Sequence, residues 1–159
     1  MTKLKLAAAL AATVALGGCA TLPTQAPSAD ECAILRAAGD GLWKGKDPSR
    51  YGRVSLSDHT ASAWALKLPR AADFPRHVVD LRACHVPEML PNWVELVAHG
   101  PTDRDGMINA FSTPNIAADG ATAVVGYSSG SRYGGALLHL VRDRDGWRVE
   151  NVEEWITVA

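Results

Sequence analysis

The second half of the chain is patterned for β-strands. Three segments rich in apolar and β-branched residues follow one another: Ala121 to Ser128, Ala136 to Arg142 and Trp147 to Val158. Turn sequences at Asp119-Gly120 and at Asp143 to Gly146 flank these segments, and strands joined by short turns must run antiparallel. In the last segment the alternation slips by one position near Asn151, which predicts a β-bulge there.

The first half of the chain mixes helical and extended patterns. A first helix is predicted to begin after Ser28 or Asp30, either of which can act as N-cap, and to end near Trp43. A second helix is predicted from Asp73 to Pro87, with these apolar residues on one side: Val78, Leu81 and Cys84. Extended segments are predicted at Tyr51 to Asp58, Trp93 to Ala98 and Ile108 to Ile116.

These patterns together predict an α+β fold. Two helices in the N-terminal half are followed by an antiparallel β-meander, within a single domain that spans residues 30–159. Without its N-terminal segment the chain keeps about 140 residues, which suffice for one hydrophobic core and not for two.

The N-terminus carries the pattern of an export signal. Lys3 and Lys5 precede an unbroken apolar run from Leu6 to Leu16. As a helix this run would span about 16 Å, roughly half of a hydrocarbon core of about 30 Å. It is therefore too short for a transmembrane helix and is typical of a signal peptide, here residues 1–18.

The apolar run ends in Leu16-Gly17-Gly18-Cys19, which resembles the lipobox of bacterial lipoprotein precursors. The resemblance implies cleavage before Cys19 and its acylation, which would hold the protein on a membrane. Ala20 replaces the aspartate that retains such proteins at the inner membrane, so the resemblance favours the outer membrane, facing the periplasm. The alternative is an ordinary secretory signal with an incidental cysteine. Residues 19–29 are predicted to be the lipidated cysteine and a disordered tether, because Thr21 to Ala29 is small, polar and contains proline.

The composition of the exported part excludes one class of partner and favours one covalent link. Without Lys3 and Lys5 the formal charge falls from −1 to −3, and no basic run remains, which argues against nucleic acid. Cys32 and Cys84 remain in a compartment where disulfides persist, so a bridge between them is predicted. A catalytic thiol or a metal ligand are the alternatives.

Three segments of the chain carry a family resemblance: ECAILRAAGDGLW, VSLSDHTA and the closing segment from Ile108 to Ile156. Together they resemble a family of envelope proteins from alphaproteobacteria and related Gram-negative bacteria. That family has no assigned activity, so the resemblance implies topology and compartment and transfers no catalytic residue. The closing meander is also similar to the cone-shaped sheet of NTF2-like domains, which bind or isomerise small ligands, although their three-helix lead-in is missing here.

One segment matches a catalytic motif. Gly126 to Gly130 (GYSSG) fits G-x-S-x-G, the nucleophile elbow of α/β-hydrolases. That elbow requires a following helix and then a downstream Asp and His. Here Ser131 to Gly135 is glycine-rich, β-type residues follow, and His139 is the one histidine left. We interpret the motif as a hairpin turn.

Other polar residues offer no metal or cofactor motif. The chain has five histidines: His59, His77, His85, His99 and His139. No two of them have the i, i+4 spacing of helical metal ligands, so neither a metal nor a cofactor is predicted. Asp58-His59-Thr60 resembles a fragment of a catalytic triad, but neighbours on a strand point to opposite faces. The last strand carries three carboxylates that are predicted to face solvent: Glu150, Glu153 and Glu154.

Two functional hypotheses follow. The first is a non-catalytic lipoprotein, anchored through Cys19, that binds an envelope partner or has a structural role. The second is a site for a small ligand, with or without catalysis, in the concave face of the sheet. Its candidate lining residues are His59, His99, His139 and Glu150. A filled sheet interior with an exposed apolar patch would favour the first hypothesis, and a pocket where these groups converge would favour the second.

Overall fold

The computed structural model describes residues 22–98, 109–129 and 134–155 of the 159-residue chain. The described residues form two α-helices, α1 (Ala29–Trp43) and α2 (Pro48–Tyr51), and seven strands. The strands are β1 (Val54–Ser57), β2 (Val94–Val97), β3 (Asn109–Phe111), β4 (Asn115–Ile116), β5 (Thr122–Ser129), β6 (Gly135–Asp143) and β7 (Gly146–Trp155). The predicted α+β class and single domain are confirmed. No helix in these three ranges has the length and apolar character needed to cross a membrane.

Several predictions concern residues outside these ranges. The predicted signal peptide, Cys19 and His99 all lie there, as do Ile108 and the part of the last predicted strand beyond Trp155.

The sheet is mixed and has the order β2-β1-β3-β5-β6-β7, with β4 also paired to β5. Strands β5, β6 and β7 form the predicted antiparallel meander, and Gly146 takes the left-handed turn position with φ 117°. The prediction of an antiparallel sheet throughout is wrong, because β1 pairs in parallel with both β2 and β3. The long connection from Asp58 to Trp93 returns the chain to the same end of the sheet, as a parallel pair requires.

The predicted bulge is present in β7. His139 pairs with Asn151, whereas the next residue, Leu140, pairs with Val149. Glu150 is therefore the extra residue on the bulged strand, and the phase of the strand reverses at this point.

Helix α1 begins with a capping box. The Ser28 hydroxyl accepts a hydrogen bond from the Glu31 backbone N–H at 3.2 Å, and the Ser28 N–H donates to Glu31 Oε2 at 2.7 Å. His77 Nε2 lies 2.7 Å from Glu31 Oε1. Partial burial raises the pKa of Glu31, but the hydrogen bonds from Ser28 and His77 outweigh it and hold this pKa below its usual range.

One face of α1 fills the core on one side of the sheet. The helix buries five apolar side chains: Ile34, Leu35, Ala38, Leu42 and Trp43. They belong to the same cluster as these sheet residues: Leu56, Phe111, Val125, Leu138 and Leu140. The first predicted helix is thus confirmed, and its apolar period matches the buried face.

The second predicted helix, from Asp73 to Pro87, is wrong. A short 3-10 helix, Ala71–Asp73, ends where the α-helix was expected to begin, and the backbone then runs extended through Val79. Val79 donates its N–H to Thr60 Oγ1 at 2.8 Å and accepts from the Thr60 N–H at 2.9 Å. Val79 and Leu81 are both fully buried, so the local apolar period is two and not three to four. His85 has φ 55°, which also breaks a helical path.

The predicted disulfide is present between Cys32 and Cys84. It joins the first turns of α1 to the irregular segment before the 3-10 helix Val86–Met89. Cys84 is buried and lies within the core cluster, so the bridge fixes this segment against the helix.

The other side of the sheet is covered by irregular chain between β1 and β2. On this side, the part of that chain from Ala63 to Phe74 contributes a cluster of four buried apolar residues: Ala63, Leu68, Ala71 and Phe74. They pack against sheet residues of the phase opposite to the α1 side, which are Val124, Leu137 and Trp155. Leu68 lies over Gly126, where a side chain on the strand would clash with it.

Part of the predicted tether is bound to the domain. Thr24 forms a parallel bridge with Val78. The Val78 N–H donates to the Pro23 carbonyl at 3.1 Å, and the Gln25 N–H donates to the Val78 carbonyl at 3.0 Å. The disorder predicted for Thr21 to Ala29 therefore does not hold for Pro23 to Gln25.

Candidate functional site

A cleft of about 550 Å³ lies where the C-terminal end of α1 faces one end of the sheet. Helix α1 and the chain after it contribute Leu42, Trp43 and Lys46, and the start of β1 contributes Arg53 and Val54. The sheet contributes residues from four more strands: Asn109, Tyr127, Ser129, Gly135, Ala136, Glu154 and Trp155. The size is that of a pocket for a small organic molecule.

The deep end of the cleft is aromatic with one polar pair. The Trp43 ring meets Tyr127 edge to face, with ring centroids 5.5 Å apart, and it meets Trp93 in the same way at 5.3 Å. Tyr127 Oη donates a hydrogen bond to Asn109 Oδ1 at 3.0 Å. Burial raises the pKa of Tyr127 far above its usual range, so its hydroxyl stays protonated at any physiological pH.

The rim of the cleft is charged. Lys46 Nζ lies 3.5 Å from Glu154 Oε1, and these two side chains bridge from the end of α1 to the last strand. Arg53 lies on the same rim and is highly exposed, and its Nη1 is 3.9 Å from Glu95 Oε2. The cleft is thus apolar in its depth and polar at its mouth, which is the usual arrangement of a small-molecule site.

Trp43 also brings an unsatisfied donor to this region. Its side chain is buried, and its indole N–H has no hydrogen-bond acceptor within the part of the chain that the structure describes. A buried donor without an acceptor costs about 1–3 kcal/mol.

Three of the four sequence-predicted lining residues are described, and they lie outside the cleft. His59 lies just beyond β1, and its Nδ1 is 2.8 Å from Asp58 Oδ1. His139 lies on β6, on the sheet side away from α1, with Nε2 3.4 Å from Glu153 Oε2. Glu150 is exposed at the bulge of β7. None of these three lines the cleft.

The expectation that Asp58 and His59 point apart is wrong. Asp58 follows the end of β1 at a bend, so the alternation of a strand no longer applies. Its buried carboxylate contacts His59 through Oδ1 and the Arg82 guanidinium through Oδ2. The Ser57 hydroxyl donates to the His59 carbonyl at 2.8 Å, so it serves the backbone of this turn. The contact between Asp58 and Arg82 connects the end of β1 to the chain before Cys84. Neither residue lines the cleft.

Two further predictions concern possible catalytic or metal chemistry. Gly126 to Ser129 belongs to β5, and β6 follows in antiparallel pairing with Ser128 opposite Gly135. The motif was interpreted as a hairpin turn, but Gly126 to Ser129 lie in the strand before that turn, and Gly130 lies outside the described residues. The next described element is strand β6, not the helix that a nucleophile elbow requires. In the ranges that the structure describes, no three His, Cys, Asp or Glu side chains are grouped to hold a metal ion.

The three carboxylates of β7 that were predicted to face solvent do so. Glu150, Glu153 and Glu154 are exposed. Of the tryptophans, Trp43 is buried and Trp64 is largely exposed.

No protein-family model, curated protein or solved structure matches this chain. The cleft is therefore interpreted from its own chemistry. Sequence reasoning missed its polar members, Lys46, Asn109 and Tyr127, because they come from distant segments and form no local motif. The one signal in the sequence was the number of tryptophans, five in this chain, because two of them, Trp43 and Trp155, line the cleft.

Proposed function

We propose that this chain is an acylated lipoprotein of the outer membrane, and that its periplasm-facing domain binds a small organic molecule in the cleft without transforming it. The cleft between α1 and the end of the sheet is the observation that carries the binding role. The order of charge, apolar run and Leu16-Gly17-Gly18-Cys19 supports the anchor.

The cleft favours a ligand with a flat apolar part and at least one hydrogen-bonding group. Trp43 and Tyr127 offer aromatic contacts, and aromatic pairs gain about 0.5–1.5 kcal/mol beyond their buried area. The polar edge of the ligand would meet Asn109, which lines the cleft beside the Tyr127 hydroxyl. Lys46 and Glu154 at the mouth suit a ligand whose exposed end is polar.

The same groups support binding over catalysis. General acid–base chemistry needs a group whose pKa lies near the working pH. In the cleft, Tyr127 has a raised pKa and remains a hydrogen-bond donor, while Glu154 is an exposed carboxylate paired with Lys46. The oriented imidazole of His59 belongs to a different part of the molecule.

Thermal unfolding in the presence of a panel of aromatic acids, amides and glycosides tests the binding role. A ligand present at about 100 times its Kd stabilises the folded state by about 2.7 kcal/mol and raises Tm. Replacing Glu154 by Trp on the rim should block the cleft and abolish that rise. Glu150→Trp is the matched control, because Glu150 is exposed on the same strand and does not line the cleft. An equal rise in both variants would place the ligand elsewhere, and no rise for any compound would remove the binding role.

Metabolic labelling with a fatty acid tests the anchor. Wild-type protein should incorporate the label, and Cys19→Ser should not, because the serine hydroxyl cannot replace the thiol that is acylated. Cys32→Ser, which removes a disulfide cysteine, should keep the label. Equal labelling of the Cys19→Ser variant and the wild type would contradict acylation at this residue.

A further inference from the structure

One face of the domain combines an exposed tryptophan with the first described residue of the chain. Trp64 is 62% exposed and lines a groove of about 360 Å³ with Leu22, Pro75 and Arg76. Lys67 lies in the same turn as Trp64, since its N–H donates to the Trp64 carbonyl at 3.1 Å. We refer to these five residues, Leu22, Trp64, Lys67, Pro75 and Arg76, as the Trp64 face.

The turn that presents Trp64 is held firmly. The Ser62 hydroxyl accepts from the Ala65 N–H at 3.1 Å, and the Leu68 N–H donates to the Ala63 carbonyl at 2.9 Å. Leu68 is itself buried against the sheet. A large side chain presented from such a fixed turn loses little conformational freedom when it binds.

The charges around Trp64 are mainly basic. Lys67 and Arg76 are exposed, and neither forms an ion pair within the described residues. Asp73 is the one acidic residue in the covering segment from Ser62 to Arg76. An exposed tryptophan beside basic side chains suits the headgroup region of a bilayer, where the indole ring meets both apolar and polar surroundings.

The path of the chain places this face close to the anchor. Leu22 lies in the groove, and the following residues Pro23 to Gln25 are bound to Val78, so they provide no slack. Three Cα–Cα steps separate Leu22 from Cys19, with Ala20 and Thr21 between them. At full extension these steps reach only about 10 Å. A free tether from Thr21 to Ala29 would reach about 30 Å.

We propose that the Trp64 face rests on the surface of the bilayer that holds the acyl chains of Cys19. The inference rests on the acylation proposed above and adds an orientation to it. The domain is then docked on the membrane through Trp64 and Arg76, and it does not hang freely from a flexible tether.

Fluorescence quenching tests this orientation with the full-length acylated protein. The protein is reconstituted into phosphatidylglycerol vesicles whose acyl chains carry bromine, a contact quencher of tryptophan. Wild-type protein should lose about one fifth of its emission, the share of one of its five tryptophans. Trp64→Phe should lose several-fold less. In the matched variant Trp64→Phe with Glu150→Trp, an exposed tryptophan is placed on the bulge of β7, and the emission should again be unquenched.

The charge contribution is tested with Arg76→Glu. This variant should show weaker quenching than wild type in phosphatidylglycerol vesicles and equal quenching in neutral phosphatidylcholine vesicles, because only the anionic surface attracts Arg76. Equal weakening in both lipids would show that the loss comes from altered packing, and it would overturn the role given to the charge.

The outcomes separate the docking from the anchor. Quenching that depends on Trp64 supports the proposal. Protein that carries the fatty acid and floats with vesicles, but is quenched equally in wild type and Trp64→Phe, overturns the docking and leaves acylation intact. Shielding of Trp64 from aqueous iodide in native envelopes but not on vesicles would assign the face to a protein partner and would also overturn it. If the protein neither incorporates the fatty acid nor floats with vesicles, both the acylation and the docking are overturned.

Discussion

Gly41 of α1 lies directly against Val149 of β7. A Cβ atom at Gly41 would lie 2.5 Å from Val149 Cγ2 and 2.9 Å from Val149 Cβ. Val149 is β-branched and has little rotameric freedom, so it cannot turn away. The helix therefore approaches the bulged strand as closely as a residue without a side chain permits.

Gly41→Ala is expected to destabilise the domain. Overpacking costs about 1–3 kcal/mol, and the gain in helix propensity on replacing glycine by alanine recovers about 1 kcal/mol. Gly39→Ala is the matched control two residues earlier, where a Cβ would lie 3.3 Å from Leu90 Cδ2, the mobile end of a flexible side chain. Urea unfolding of both variants should show a loss for Gly41→Ala and no loss or a gain for Gly39→Ala. A stabilised Gly41→Ala variant would show that the helix can shift away from β7.

Reduction of the Cys32–Cys84 bridge is expected to lower the melting temperature. The bridge closes a loop with a sequence separation of 52 residues. In the chain-entropy model a loop of this length contributes about 4 kcal/mol, with engineered cases often giving less. The measurement is calorimetric Tm with and without dithiothreitol. The Cys32→Ser, Cys84→Ser double variant is the control, and its Tm should not respond to the reductant. An unchanged wild-type Tm would contradict a stabilising bridge.

The sequence pattern predicted the parts of the fold that are held together locally. The N-cap at Ser28, the turn at Gly146 and the bulge at Glu150 each depend on neighbours within a few residues. Their signals are therefore present in short windows of sequence. The pairing of Cys32 with Cys84 followed from the number of cysteines and the predicted export signal, and needed no knowledge of the fold.

The sequence-based predictions that are wrong concern segments whose backbone conformation is determined by tertiary contacts. Val78, Leu81 and Cys84 have helical spacing, but hydrogen bonds with Thr60, Pro23 and Gln25 hold the backbone extended at residues 78 and 79, and turns follow. Similarly, no local pattern distinguishes a parallel β1–β2 pair from an antiparallel one, because the relative direction of the two strands depends on the path of the long connection. The cleft was missed for the same reason: Lys46 and Glu154 are 108 positions apart in sequence.

The pH dependence of stability should include a contribution from Glu31. Its folded pKa is lowered, so below the usual pKa of about 4.3 the unfolded chain binds the proton more readily than the folded one. The stabilisation is therefore fully present above about pH 4.3 and is lost as the pH falls through the folded pKa. Glu31→Gln keeps a capping-box side chain and removes the charge. It should reduce the slope of the free energy of unfolding against pH between about pH 5 and 3, and cost about 0.3–1 kcal/mol at neutral pH.

Glu150→Gln provides the comparison for Glu31, because Glu150 is exposed at the bulge of β7 and far along the chain from α1. Glu31→Gln should change the slope, relative to the wild type, more than Glu150→Gln does. A change in slope for Glu31→Gln no larger than that for Glu150→Gln would show that the capping box does not depend on the carboxylate charge.

The contact between Asp58 and Arg82 should appear as a coupling energy. The Asp58 side chain is 7% exposed and the Arg82 side chain 50% exposed, so the aspartate is the buried member of the pair. Arg82→Ala leaves that carboxylate with one charged partner fewer and should cost about 1–3 kcal/mol. In the Asp58→Asn background the same substitution should cost less than about 1 kcal/mol, because a half-exposed guanidinium then faces a neutral amide. Urea unfolding of the four proteins measures the cycle; strictly additive costs would mean that the two side chains do not stabilise the fold as a pair.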